Sequence, residues 1–124
     1  MRQPDSFAAF VLDQLSRVDG VDPRPMFGGC GLYRSGTFFG ILFKGRLYFK
    51  TDPASARDYL ARRMKPFRPR PAAPGRRATT LWSYYEVPVE VLEDEEQLAR
   101  WAERAVAVAR RSTAGRAPRG RRRR

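Results

Sequence analysis

Histidine is absent from this chain of 124 residues, and cysteine occurs once, as Cys30. Without histidine the chain lacks the commonest general base, the commonest metal ligand and the side chain that titrates nearest neutral pH. A single cysteine forms no internal disulfide and builds no cysteine-rich zinc site. The sequence therefore predicts no catalytic residues, no metal and no cofactor, and it fits a reducing, cytoplasmic location.

Long apolar runs are also missing. No run approaches the 18 residues of a membrane-spanning helix, so we expect neither a transmembrane segment nor a membrane partner. The first six residues have no long apolar stretch after a charge, and a secretory signal is therefore not expected. What remains is the composition of one small domain with a core of modest size.

Lysine is scarce among the basic residues: only 3 of the 25 are lysine, and the formal net charge is +12. The last 13 residues, 112–124, hold six arginines and no acid. Small residues, proline and arginine dominate this segment, which is typical of disorder. We expect a folded domain over residues 1–111 and a disordered, arginine-rich tail over residues 112–124.

The hydrophobic periodicity predicts the order helix, three strands, helix, two strands, helix. Apolar residues at helical spacing follow a capping residue at Asp5 or Ser6. Between residues 26 and 50, three β-rich runs are joined by two-residue turns at 35–36 and 44–45, which indicates an antiparallel meander. We therefore expect an α+β fold of two layers, an antiparallel sheet packed by helices.

Two later helices have clear starts. Asp52 is followed by Pro53, an acidic cap with proline at the first helical position. Asp94 is followed three residues later by Gln97, as in a capping box. Between these helices, residues 79–87 are rich in threonine and aromatics, which predicts a strand.

The most informative stretch is residues 26–33, where an apolar pair runs into two glycines and then into an apolar run that ends in an aromatic. Adjacent glycines inside such a run indicate a bulge, a sharp bend or a close approach of another backbone. A phosphate-binding loop is the alternative, but such a loop leads into a helix and is followed by lysine, whereas here a strand follows. The residues assigned to the fold, from this stretch and the later strand, are Met26, Phe27, Gly28, Gly29, Trp82 and Tyr84.

Three segments together resemble the N-terminal domain of the TfoX/Sxy family of bacterial regulators. They are residues 26–33, residues 45–52 and residues 82–88, the last followed by the acidic start of the final helix. The resemblance implies a two-layer α/β fold, a non-enzymatic regulatory role linked to natural competence, and action with the cyclic-AMP receptor protein. Longer members carry a second, C-terminal helical domain, and this sequence has only the basic tail in its place.

Residues 59–85 contain no acid and seven basic residues, with aromatics in and beside them. Cations next to aromatics grip phosphates and stack on bases, whereas the alternative is a solvated, proline-rich loop beside core aromatics. Independently of these alternatives, Phe67 is expected on a short strand that pairs with residues 79–87. The residues assigned to contact with nucleic acid or a partner are Arg62, Arg63, Arg68, Arg70, Arg76 and Arg77.

Cys30 and four acidic residues each have a functional and a structural interpretation. Cys30 is either a reactive thiol or a small apolar side chain, and no histidine is present to activate it. The acids Glu86, Glu90, Glu93 and Asp94 form either a catalytic cluster or the charges that start a helix. We favour the structural interpretation for both.

Three functions follow from these observations. The first is a regulatory module without catalysis, which binds a protein such as the transcription machinery or a second copy of itself as a homodimer. The second is a nucleic-acid-binding protein that uses the basic stretch 62–77 and the tail, without sequence specificity. An enzyme is the third, and no residue set in the sequence supports it.

Overall fold

The computed structural model describes residues 6–26, 28–70 and 79–121, and within these ranges the side chains of residues 69, 70, 79, 80, 82 and 113–121 are not described. The elements in chain order are α1 (Ser6–Gln14), a 3₁₀ turn (Leu15–Arg17), β1 (Val21–Met26), β2 (Gly29–Arg34), β3 (Thr37–Phe43), β4 (Arg46–Lys50), α2 (Pro53–Ala61), β5 (Pro66–Arg70), β6 (Thr79–Glu86), α3 (Val89–Leu92) and α4 (Glu95–Arg121).

The strands form one sheet of six in the order β1-β2-β3-β4-β6-β5, and every neighbouring pair is antiparallel. The predicted α+β class and antiparallel sheet are confirmed. The two outer strands contain proline, at Pro23 and Pro25 in β1 and at Pro66 and Pro69 in β5. Proline has no N–H to donate to a ladder, so edge strands are where a sheet tolerates it.

The two faces of the sheet are packed differently. On one face, apolar side chains from all four helices join Leu32, Phe39 and Phe49 in the main core, which we call the helix-face core. On the other face, a second cluster is formed by strand side chains, with Ile41 and Phe67 buried among aromatics. Ala109 and Ser112 of α4 line a depression beside Phe38, Lys50 and Tyr84 of this face. Strand β3 supplies both clusters, as the apolar character of residues 37–43 predicts for a central strand.

The glycine turns confirm the predicted meander. Ser35 and Gly36 both have positive φ, at 51° and 81°, and Lys44 and Gly45 repeat the pattern at 49° and 75°. Two successive left-handed residues make the type I′ turn whose twist suits a two-residue hairpin. Both turns lie where the sequence placed them.

The helix starts are set by side-chain caps. The Asp52 carboxylate accepts a hydrogen bond from the Ser55 amide at 2.8 Å, and the Ser55 hydroxyl accepts one from the Asp52 amide at 3.1 Å. Asp94 Oδ1 likewise accepts from the amide of Gln97 at 3.1 Å. Both predicted caps are therefore present.

Three details differ from the predicted order. Residues 21–26 form a strand, so four strands precede α2 where three were expected. The short helix α3 was not predicted, because four residues between Pro88 and Asp94 carry no periodicity to detect. Helix α4, expected to end near Arg111, continues to Arg121, and residues 122–124 lie outside the described residues.

Candidate functional site

Four cationic side chains converge at one end of β4 and β5. Arg46, Arg63, Lys65 and Arg68 line a depression of about 490 Å³, with Tyr48, Met64, Pro66 and Glu86 completing its walls. We call this depression the basic groove. Glu86 is the one acid among its lining residues, so the groove has a surplus of positive charge.

Glu86 is held by Arg46, whose Nη1 donates to both carboxylate oxygens at 3.1 Å. The pairing of β4 with β6, with Tyr48 opposite Glu86, brings these side chains together. Burial raises the pKa of the Tyr48 phenol, and the negative charge of Glu86 adds to the effect. Tyr48 therefore stays neutral and adds no negative charge to the lining of the groove.

Arg63 occupies a position that usually belongs to glycine. It follows the C-cap of α2 with φ at 61°, and its amide donates to the carbonyl of Leu60 at 2.9 Å. The amide of Met64 donates to the carbonyl of Tyr59 at 3.0 Å. These two bonds form a Schellman motif, whose left-handed residue is most often glycine. Because of this left-handed turn, the side chains of Arg63 and its neighbour Arg62 point in different directions.

Arg62 belongs to the helix layer and lies outside the groove. Its Nε donates to Glu90 Oε2 at 3.2 Å, and its Cζ lies 5.2 Å from the ring centroid of Trp101. Arg104 lies over the same ring at 5.1 Å and binds Asp58 at 2.7 Å. Arg62 is thus a structural cation in these contacts, so the structure separates it from Arg63.

The other residues of the predicted site are placed as follows. Arg68 lines the groove, and its assignment to contact with nucleic acid or a partner stays a prediction. Arg70 is on β5, and its side chain is not described. Arg76 and Arg77 lie outside the described residues, so their assignment stays a prediction. Arg46 and Lys65 complete the groove and were not assigned to it from sequence, because strand pairing and not chain proximity brings Arg46 there.

Acidic residues are unevenly distributed between the two layers. The six strands contain six basic residues and only two acids, Asp22 and Glu86. Each of these acids is in an ion pair with an arginine, Asp22 with Arg24 at 3.0 Å. Apart from Asp5, which is not described, the remaining acids lie in the helix layer and its connections. Helix α4 has seven arginines and three acids, so the strands are poor in acid but do not hold more surplus positive charge than α4.

The glycines of residues 26–33 have a structural role. Gly28 has φ at 81° in the turn from β1 to β2, and a Cβ on Gly29 would collide with the carbonyl oxygen of Leu42. The glycines lead into strand β2 and not into a helix. Of the bulge, sharp bend or close approach that the sequence indicated, the structure shows a close approach between the backbones of Gly29 and Leu42. Met26 packs on the cluster of strand side chains, whereas Phe27 lies outside the described residues.

A sequence model of the TfoX N-terminal domain matches residues 13–109 of the chain. This chain belongs to the TfoX N-terminal domain family. The matched range includes the turn glycines and all of the residues described above as lining the basic groove. No protein of curated function matches the chain.

The remaining predicted residues of this TfoX N-terminal domain are found in structural positions. Tyr84 is buried on the sheet face, 5.5 Å from Phe38 between ring centroids, while Trp82 is on β6 with its side chain not described. Cys30 is half-buried against the helix-face core. Of the four acids considered above, Glu86 and Glu90 bind arginines and Asp94 caps α4.

Two features are absent from the described residues, a membrane-spanning helix and a metal-binding cluster. None of the helices in residues 6–26, 28–70 and 79–121 combines the length and apolarity needed to cross a bilayer. Within the same ranges, no group of three or more aspartate, glutamate or cysteine side chains is placed to hold a metal ion.

Proposed function

We propose that this TfoX N-terminal domain is a non-enzymatic regulatory module whose working contact is with the phosphates of a nucleic acid, made through the basic groove. The carrying observation is the convergence of Arg46, Arg63, Lys65 and Arg68 around one depression that contains a single acid. Phosphate contacts of this kind give affinity without sequence specificity. A role in transcription, as in competence regulation, is part of the proposal and rests on family membership.

The position of Arg63 supports the proposal. A non-glycine residue at the left-handed position of a Schellman motif costs backbone energy of about 1 kcal/mol. Ser35 and Lys44 also have positive φ, in two-residue hairpin turns, whereas Arg63 combines a positive φ with a place in the groove lining. Strained positions of this kind cluster at functional sites. At this position, the side chain is the cation of Arg63, which lines the groove.

The test is a fluorescence-anisotropy titration of a labelled oligonucleotide at several salt concentrations. We expect the triple variant Arg63→Ala, Lys65→Ala, Arg68→Ala to bind at least tenfold more weakly. Its slope of log K against log salt should be smaller by roughly 2 to 3, because each phosphate contact contributes about 0.7 to 0.9.

The matched control removes the same charge from the helix layer. Arg57, Arg100 and Arg110 are exposed on α2 and α4, and their replacement by alanine leaves the groove intact. Equal losses for the two triple variants would reduce the effect to net charge and contradict the proposal. Both are measured with and without residues 112–124, so that binding by the arginine tail is separated from binding by the groove.

A protein partner is the second candidate, and one observation favours it. Leu60 on α2 and Val89 on α3 are large apolar side chains that are 54% and 60% exposed. The Arg62–Glu90 ion pair joins the same two elements. Sedimentation equilibrium of the chain, and of a Leu60→Ser, Val89→Ser variant, tests whether this surface joins two copies. A parent chain that sediments as a dimer, together with a double variant that sediments as a monomer, would favour a homodimer joined through this surface.

A further inference from the structure

A row of rings and cations crosses the sheet on the face opposite the helix-face core. Tyr33 on β2 and Phe38 on β3 have ring centroids 5.1 Å apart, and Phe38 is 5.5 Å from Tyr84 on β6. We call Tyr33, Phe38 and Tyr84 the ring row. Arg24 lies 5.4 Å from the centroid of Tyr33, and Lys50 lies 5.1 Å from that of Tyr84.

The rings of the ring row lie with similar planes. Successive rings are tilted by 31° and 35°, against 87° and 61° for the contacts of Phe67 with Phe43 and Tyr48 on the same face. Buried pairs of the helix-face core, Phe39–Phe49 and Tyr59–Tyr85, have comparable tilts of 43° and 38°, so exposure and not tilt distinguishes the ring row. Rings with similar planes lying side by side form a platform, and Tyr33 and Phe38 in this platform are only half-buried.

Gly31 allows the rings of Tyr33 and Phe38 to lie close to the backbone of β2. A Cβ at Gly31 would lie 2.9 Å from the sulfur of Met26 and 3.2 Å from ring carbons of both Phe38 and Tyr33. Glycine at this position therefore lets the two rings close over the backbone of β2. This glycine belongs to the stretch that the sequence singled out, and the turn between β1 and β2 does not explain it.

The ring row leads to the basic groove. Lys50, in the row, and Tyr48, in the groove, are two residues apart on β4, so they share a face about 7 Å apart along the strand. Of the cations on the strands, Arg24 and Lys50 lie at the ring row and Arg46 and Arg68 line the groove, whereas Arg34 pairs with Glu103 on α4. The two strand acids, Asp22 and Glu86, are both paired with arginine. An anionic ligand that offers flat surfaces therefore complements this face.

We propose that the ring row and the basic groove bind a single-stranded nucleic acid, with bases stacked on Tyr33 and Phe38 and phosphates in the groove. This inference rests on the proposed function and adds the class of ligand to it. Unpaired bases stack on aromatic side chains, while a duplex keeps its bases stacked on one another. A single strand is thus the polyanion that can use the ring row and the groove together.

The experiment uses the full chain and four labelled probes of 15 nucleotides: oligothymidylate, oligouridylate, an abasic strand of equal charge, and a mixed-sequence duplex. We expect both base-containing single strands to bind at least tenfold more tightly than the abasic strand, and more tightly than the duplex at equal strand concentration. A preference between thymidylate and uridylate identifies DNA or RNA as the source, and either preference supports the single-strand class.

The variants Tyr33→Leu and Phe38→Leu remove one ring each. Each should weaken oligothymidylate binding about five- to tenfold and leave the affinity for the abasic strand unchanged, which also reports that the groove is still folded. Tyr33→Phe and Phe38→Tyr keep a ring and should bind as the parent chain does. Equal affinity for abasic and base-containing strands overturns this inference alone, whereas the absence of binding to every probe at low salt overturns the proposed function.

Discussion

Gly29 on β2 lies so close to the carbonyl oxygen of Leu42 on β3 that no side-chain carbon fits between them. A Cβ built on Gly29 would also lie 3.0 Å from a ring carbon of Phe43. Backbone atoms of a central strand cannot move aside as the end of a flexible side chain can. The requirement for glycine here is therefore one of space, which distinguishes it from the conformational requirement at the turns.

This difference can be measured with one substitution at two glycines. Gly29→Ala should lower the free energy of unfolding by at least about 2 kcal/mol, because the sheet must deform. Gly36 has φ at 81°, and a Cβ there would meet nothing within 4 Å. Gly36→Ala should therefore cost only the backbone strain of a left-handed alanine, about 1 kcal/mol. Urea unfolding of both variants provides the comparison, and equal losses would exclude the close approach as the reason.

Replacing Arg63 by glycine should separate stability from binding. Because Arg63 is the left-handed residue of a Schellman motif, Arg63→Gly should raise the free energy of unfolding by about 1 kcal/mol. The same variant should bind oligonucleotides more weakly, since the groove loses a cation. Thermal unfolding and anisotropy on the same sample measure the two effects.

Ser35→Gly is the control for that experiment, because Ser35 is also left-handed, with φ at 51°, and lies outside the groove. It should stabilise by a similar amount and leave binding unchanged. If Arg63→Gly instead binds as tightly as the parent chain, Arg63 has no part in the groove.

The cap of α2 predicts a dependence of stability on pH. The hydrogen bond from the Ser55 amide, and to a lesser extent the Arg111 guanidinium at 3.0 Å, lower the pKa of the Asp52 carboxyl in the folded chain. A carboxyl with a lowered folded pKa contributes stability above its unfolded pKa of about 3.9, and loses it as the pH falls through the folded pKa.

Asp52→Asn keeps a capping side chain and removes the charge. At pH 6 it should be less stable than the parent chain by about 0.5 kcal/mol, a modest loss because the carboxylate is partly exposed and solvent screens it. At pH 2 the two chains should be equally stable. Urea unfolding across this range checks the prediction, and a difference that does not change with pH would assign the loss to geometry and not to charge.

The end of α4 should open before the body of the helix. Residues 112–121 contain Gly115, Pro118 and Gly120, and proline within a helix removes a hydrogen bond while glycine costs about 1 kcal/mol relative to alanine. The sequence predicted disorder here, and that remains a prediction for the chain in solution. Amide hydrogen exchange should show fast exchange at 112–121 and strong protection at 98–109, and equal protection would contradict it.

Local signals made most of the fold predictable. The turns at 35–36 and 44–45 and the caps at Asp52 and Asp94 depend on residues within four positions of each other, so the sequence states them directly. Strand β1 was missed as a strand because Pro23 and Pro25 are compatible with pairing only at an edge. Whether a segment lies at the edge is decided by the whole sheet.

The candidate site was less predictable, for the same reason. Arg62 and Arg63 are adjacent and were assigned together, yet the end of α2 sends one to Trp101 and the other to the groove. Arg46 reaches the groove through the pairing of β4 with β6. The ring row likewise combines side chains from β2, β3 and β6, which no window of sequence contains.

The prolines in β1 and β5 hinder the addition of further strands at the two edges of the sheet. A further strand from another chain would need donors along an outer edge, and each proline removes one. Fibril growth and strand exchange between neighbouring molecules are thereby hindered at both ends of the sheet. Crowded copies of this protein should accordingly resist edge-to-edge strand pairing, the route by which many small β-rich proteins aggregate.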